Sequence, residues 1–309
     1  MKNFLLLFLC LVPLSARALT VTDDLGRTVT LRAPAKRVIA LYGAFNEIIL
    51  DLEAGHCLSA RTSADGDLPG LEALPVIGTH MRPNPEIIVA LRPDVVLQLA
   101  GRQEAQIQTE ALRALNLNVL TFTMESFEDI FRVAGKLGLL LDRRTQAEDR
   151  VRDWKARLAA LKGNRRGRAP MRVFYEVRYP NLLAAGGRGI VQEIIAAAGG
   201  ENVVREQKKL VRYSEEALIQ ARPDVYIIQQ GPMNPDAPPP RLRPHYRDLA
   251  AVRAGRVLYV DEKRFARPGP LAVAAAEELS RRLRLVAGGH APHLRQENDR
   301  QGQAVEKQH

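Results

Sequence analysis

Asn84-Pro-Glu86-Ile-Ile-Val-Ala-Leu-Arg-Pro93-Asp94 returns 130 residues later as Ser214-Glu-Glu216-Ala-Leu-Ile-Gln-Ala-Arg-Pro223-Asp224. Each copy runs into a strand-like stretch, Val95-Val-Leu97 and Val225-Tyr-Ile-Ile228. Asn84 and Ser214 are residues that accept hydrogen bonds from the orphan amides of a helix start, and Glu86 and Glu216 suit the positive end of the helix dipole. The proline is expected to stop the helix and turn the chain into the strand. A helix-stop-strand unit used once in each half predicts two similar α/β lobes with mostly parallel sheets.

Working outward, Arg37-Val-Ile-Ala-Leu41 is a continuous apolar run of the kind that forms a buried parallel strand. Phe45, Ile48, Ile49 and Leu52 follow at helical spacing until Gly55. Before this unit, Thr20 to Leu31 reads as a hairpin about an Asp/Gly turn. After the first repeat copy, a helix is expected near 104–115, a strand over 118–122, and a helix capped by Ser126. From Asp142 to about Leu161, Ala147, Val151, Trp154, Leu158 and Leu161 form one apolar stripe on a strongly charged segment, which predicts a long linking helix over 142–163. The second lobe opens on strand 171–177, includes a helix over 190–198 and a proline-rich loop from Pro232 to Pro244, and closes on a helix to about Leu285.

The expected organisation is therefore a signal peptide at 1–18, an N-terminal lobe at 19–141, the linking helix at 142–163, a C-terminal lobe at 164–285 and a disordered tail at 286–309. The signal peptide rests on Lys2, the apolar run Phe4 to Val12, and the small-x-small site Ala16-Arg-Ala18. That run is shorter than the ~20 residues a membrane span needs. Removing Lys2 and Arg17 lowers the formal charge of +10 to about +8. The basic residues are dispersed and not interleaved with aromatics, so nucleic acid is not an expected partner. Cys57 is the only cysteine after Cys10 is removed; no internal disulfide can form, and a buried, inert thiol is expected. The six histidines have no metal-binding spacing. No nucleophile elbow or paired acids point to catalysis; an enzyme would need a cleft nucleophile such as Ser63. Gly186-Gly-Arg-Gly189 is expected to be a tight turn, with ligand contact by Arg188 secondary.

With these motifs in their order, namely Asp24-Leu-Gly26-Arg-Thr-Val, Lys36-Arg-Val-Ile-Ala, the two repeat copies, Ala198-Gly-Gly-Glu-Asn202 and Arg267-Pro-Gly-Pro270, the chain resembles the iron-chelate/cobalamin class of periplasmic substrate-binding proteins of ABC importers. The resemblance runs from about Thr20 to Leu285, with Leu271 a departure where many relatives carry arginine. It implies two Rossmann-like lobes bridged by one long helix, a ligand in the interlobe cleft, a periplasmic monomer with no resident cofactor, and docking of Glu86 and Glu216 onto the permease dimer. Ligands bind at the carboxyl ends of strands in open α/β sheets. The expected cleft residues are accordingly Tyr42, Arg61, His80, Arg82, Arg102, Arg178, Tyr179, Arg188, Tyr213 and Arg264. Arginines there suit an anionic ferric siderophore or haem propionates, with cobalamin the alternative ligand. A tyrosine or His80 could ligate the metal.

Overall fold

The computed structural model describes residues 18–101, 103–163 and 169–289. The expected leader up to Arg17, Arg102, and the tail from His290 lie outside the described residues.

The chain begins with β1 (Leu19–Thr22) and β2 (Thr28–Leu31), the expected hairpin, paired antiparallel with Leu19 opposite Leu31. Asp23 Oδ1 accepts from the Leu25 and Arg27 amides and closes the turn, while its Oδ2 accepts from Thr121 N at 3.0 Å and ties the hairpin to the lobe. Then come β3 (Val38–Ala40), α1 (Gly43–Asp51), β4 (Leu58–Ala60), α2 (Pro85–Ala90), β5 (Val95–Leu99), α3 (Gln103–Ala114), β6 (Val119–Phe122) and α4 (Phe127–Leu140). The four strands β3 to β6 form a parallel sheet in the order β4-β3-β5-β6. All of β3 and β6 is buried, as a sheet covered on both faces requires. Ser126 caps α4 in a reciprocal capping box with Asp129.

Helix α5 (Arg144–Gly163) starts two residues later than expected, because Asp142 takes a left-handed φ of 56° and the chain turns there. Ala147, Trp154 and Leu161 of its stripe are buried, and Val151 and Leu158 are half-buried against the same core. Trp154 stacks on Phe131 of α4 with ring centroids 6.2 Å apart, and the same helix packs on the second lobe.

That lobe contains β7 (Met171–Arg178), β8 (Leu183–Ala185), α6 (Ile190–Ala198), β9 (Gly200–Asn202), β10 (Leu210–Arg212), α7 (Glu215–Ala221), β11 (Val225–Gln230), α8 (Ala250–Arg253), β12 (Val257–Asp261), α9 (Glu262–Ala266) and α10 (Leu271–Ala287). The sheet order is β10-β8-β7-β11-β12, and β9 also pairs with β7. Strands β7, β9, β11 and β12 are parallel. Two strands that the sequence analysis did not anticipate complete this sheet: β8 runs antiparallel to β7, and β10 antiparallel to β8. Three-residue strands are too short to show a period, and Leu183-Ala-Ala185 has no β-branched residue to mark it.

The repeat is visible atom by atom. Asn84 Oδ1 accepts from the Glu86 and Ile87 amides, and Ser214 Oγ accepts from the Ala217 amide. Asp94 Oδ2 accepts from the Lys36 and Arg37 amides, and Asp224 Oδ2 from the Arg172 amide, each at 2.8 Å. The aspartate of Arg-Pro-Asp thus pins the start of the neighbouring strand in both lobes. The helices also end differently from the expectation: Arg92 and Arg222 both take left-handed backbone, φ 47° and 42°, so each helix has turned off before its proline is reached.

Candidate functional site

Three groups of contacts bring the carboxyl-end loops of the two sheets against one another. Glu125, after β6, accepts from Arg188 Nε at 2.8 Å and lies 2.9 Å from Lys209 Nζ. Lys263 of α9 donates to Asp67 at 2.7 Å and to the Ala64 carbonyl at 3.2 Å. Arg267, just past α9, donates to Glu47 of α1 at 2.9 Å and lies 3.7 Å from Asp65. The first two are partly exposed. Burial raises the Glu125 acid, but Lys209 and Arg188 outweigh it and hold the carboxyl below its usual range. The Lys263 hydrogen bond likewise lowers Asp67. The third group is buried, and burial pushes Glu47 up to about 7 against the opposing effect of Arg267.

Between these bridges, Tyr42 caps the first turn of α1, and its ring meets His80 edge-on with centroids 5.9 Å apart. These two expected cleft residues are brought together. Arg82 is exposed on the turn that follows His80, its amide bonded to Thr79. Arg61 folds back on its own lobe, donating to the Thr62 and Glu72 carbonyls. In the second lobe, Arg178 ends β7 half-buried. Tyr213 is half-buried against Phe174 with ring centroids 5.5 Å apart. Arg264 is turned to Glu278 of α10 at 3.0 Å, so its charge is spent within the second lobe. Gly186 and Gly187 press against the backbone of residues 205–208, where a Cβ would collide, so the glycines are required by this close approach.

Tyr179 belongs to a network that the sequence reading missed. Glu176, fully buried at the end of β7, accepts from Tyr226 Oη, from both Arg243 amino groups and from Asn234 Nδ2. The Arg243 guanidinium stacks over the Tyr179 ring at 4.0 Å, and Arg243 Nε donates to the Pro238 carbonyl at 2.7 Å. Burial and the adjacent Glu176 charge both raise the Tyr226 phenol. The network clamps the proline-rich loop onto the carboxyl ends of β7 and β11 and fixes Tyr179 from behind. A charged residue inside the apolar run of β7 was the available signal: buried carboxylates require partners.

Glu86 and Glu216 are exposed, each second in its helix after the cap. The backbone amide of Glu216 and the Ser214 hydroxyl hold the Glu216 acid below its usual range. A depression lined by Ile219, Arg222, His245 and Arg253 lies beside α7, outside the interlobe cleft. Cys57 is buried, and burial raises its thiol, as an inert cysteine requires. Among the described residues no group of three or more His, Cys, Asp or Glu could hold a metal ion, and no helix is long and apolar enough to cross a membrane.

The sequence profile of the periplasmic binding protein family matches residues 38–263. The chain is 23% identical to an uncharacterized ABC transporter substrate-binding lipoprotein of Bacillus subtilis, over 84% of each chain. It is 27% identical to the vitamin B12-binding protein of Salmonella paratyphi A, over 63% of this chain and 72% of that one. Among solved structures, the periplasmic haem-binding protein RhuT from Roseiflexus in its apo form superposes with a TM-score of 0.70 at 24% identity, covering 82% of this chain and 99% of that one.

Proposed function

Because this chain belongs to the periplasmic binding protein family, we propose that it captures a metal chelate between its lobes in the periplasm and delivers it to the permease dimer of an ABC importer. An anionic chelate, a ferric siderophore or haem, is the reading we favour, with cobalamin the alternative within the same class. The observation that carries it is the pairing of Tyr42 with His80 at the carboxyl-end face of the first sheet; Arg178 and Tyr179, at the carboxyl end of β7, are the residues we assign to the other side of the cleft. Aromatic rings offer flat apolar faces to a macrocycle or catechol, and guanidinium groups offer forked donors to carboxylates. Arg188, Arg61 and Arg82 border the same space. Arg188 and Arg61 already have local bonds to exchange for an anion, and Arg82 is exposed.

Glu86 and Glu216 serve as the docking acids. Each helix runs back toward the start of its following strand, so its first turn stands on the carboxyl-end side of its lobe. The side that opens the cleft therefore presents both charges outward, one per lobe, to two basic sites on one partner. The chain functions as a monomer without turnover.

A thermal-shift panel of haemin, ferric siderophores and cobalamins tests the ligand reading. A ligand present at a hundredfold its Kd adds about 2.7 kcal/mol of stability, which for a chain of this size raises Tm by roughly 5 °C. We expect that shift with haemin or a ferric siderophore. A shift with cobalamin alone moves the assignment to the alternative; no shift with any of the three refutes the chelate reading.

A further inference from the structure

Arg267-Pro-Gly-Pro270 links α9 to α10 in the C-terminal lobe, yet its guanidinium ends inside the N-terminal lobe. Nη1 donates to Glu47 at 2.9 Å and sits 3.7 Å from Asp65, and the Arg267, Glu47 and Asp65 side chains are only 11%, 5% and 0% exposed. Asp65 is held in turn by the Thr62 hydroxyl at 2.6 Å and by Asn46 Nδ2 at 3.1 Å. The proline rings of Pro268 and Pro270 restrict φ on both sides of Gly269.

Glycines make the approach possible. A Cβ at Gly43 would collide with Asp65 Oδ1 and Arg267 Nη1, and a Cβ at Gly269 would collide with Glu47 Oε2. The separation of the lobes at this point is set by atoms in contact. Two carboxylates face one guanidinium, with Asp51 adding negative charge from the same helix and Arg150 bonded to the Asp51 carbonyl. Asn46 Oδ1, Glu47 Oε2 and Asp65 Oδ1 are all buried acceptors without a donor.

We propose that Arg267 is the positioning residue that fixes the angle between the lobes, and with it the geometry in which Tyr42 and His80 are presented to a ligand. The other cross-lobe pairs are more exposed: Arg188 and Lys209 are 61% and 50% exposed, so their attraction is screened by salt and worth little. A buried charge pair tolerates no such slack, since displacing Arg267 strands two carboxylates. The inference rests on the interlobe cleft being the ligand site only for its consequence; the angle itself is measured without ligand.

The test is the distance between spin labels placed at the exposed positions Glu104 and Glu206, one per lobe, in full-length protein carrying Cys10→Ala and Cys57→Ala and no ligand. In the unsubstituted cluster we expect one narrow distance distribution. Arg267→Ala should broaden and shift it, Arg267→Lys should restore part of the narrow population, and Gly269→Ala should shift it while leaving all the charges in place. An unchanged distribution in folded Arg267→Ala overturns the proposal. Should that variant fail to fold, an unchanged distribution in Gly269→Ala does so. If the distances respond but no chelate binds the native protein, the ligand reading fails and the positioning role stands.

Discussion

With Glu86 and Glu216 both reversed to lysine, cells lose uptake of the transported chelate, while the purified variant binds it as the native protein does. The acids are exposed, and the caps of their own helices, Asn84 and Ser214, are left alone by the reversal. Each lysine would present like charge to a basic site on the permease, and like-charge juxtaposition across an interface costs several kcal/mol. At 1.4 kcal/mol per tenfold, the pair of reversals lowers docking affinity by roughly a thousandfold or more. Single reversals should give intermediate losses, because one lobe keeps its attraction. The measurement is uptake of labelled chelate alongside its binding by the purified protein. Uptake that survives the double reversal removes the docking role.

Replacing Arg243 by alanine destabilises the second lobe by about 3–5 kcal/mol, the cost of leaving a buried carboxylate without its counter-charge. Glu176 would keep only Tyr226 and Asn234 as partners, in surroundings with no exposure at all. Replacing both charges together, Glu176→Leu with Arg243→Met, should recover much of the loss, since a well-packed apolar pair is often as stable as a buried ion pair. The exposed pair Arg152–Asp149 is the control; removing it should cost at most about 1 kcal/mol. Urea unfolding provides the comparison. A loss below about 1 kcal/mol for Arg243→Ala would mean that water reaches Glu176. Beyond stability, the loop clamped by Arg243 should loosen, and Tyr179 should lose the guanidinium that supports its ring.

What could be read from the chain follows from how far apart the deciding atoms lie in sequence. Caps, the Asp/Gly turn and the α5 stripe are local, and the structure has them where the residues put them. The repeat copies were legible as scaffold, although the strand-pinning role of Asp94 and Asp224 needed the neighbouring strand to be in place. The β8–β10 arm was not legible because its strands are shorter than any period. Charge partners were hardest. Arg243 and Glu176 are 67 residues apart, and Arg267 and Glu47 are 220 apart. Nothing local tells an arginine in a proline-rich loop that it will be buried. The candidate site divides the same way: Tyr42 and His80 meet, whereas Arg264 and Arg61 are engaged within their own lobes by groups no spacing rule identifies.

The apolar interior does not divide where the chain does. A single buried cluster includes Phe45 and Ile48 of the first lobe, Trp154 and Leu161 of the linking helix, and Val173 and Leu279 of the second. Two bodies held by a loose tether would melt separately, the weaker one first. Here, loss of either half exposes apolar surface on the other, so heating should give one calorimetric transition whose van't Hoff and calorimetric enthalpies agree. Two resolved transitions would show that the bridge through Trp154 does not couple them. A carrier that unfolds only as a whole does not pass through a half-folded form with an open sheet edge, the kind of edge that pairs with strands of other chains.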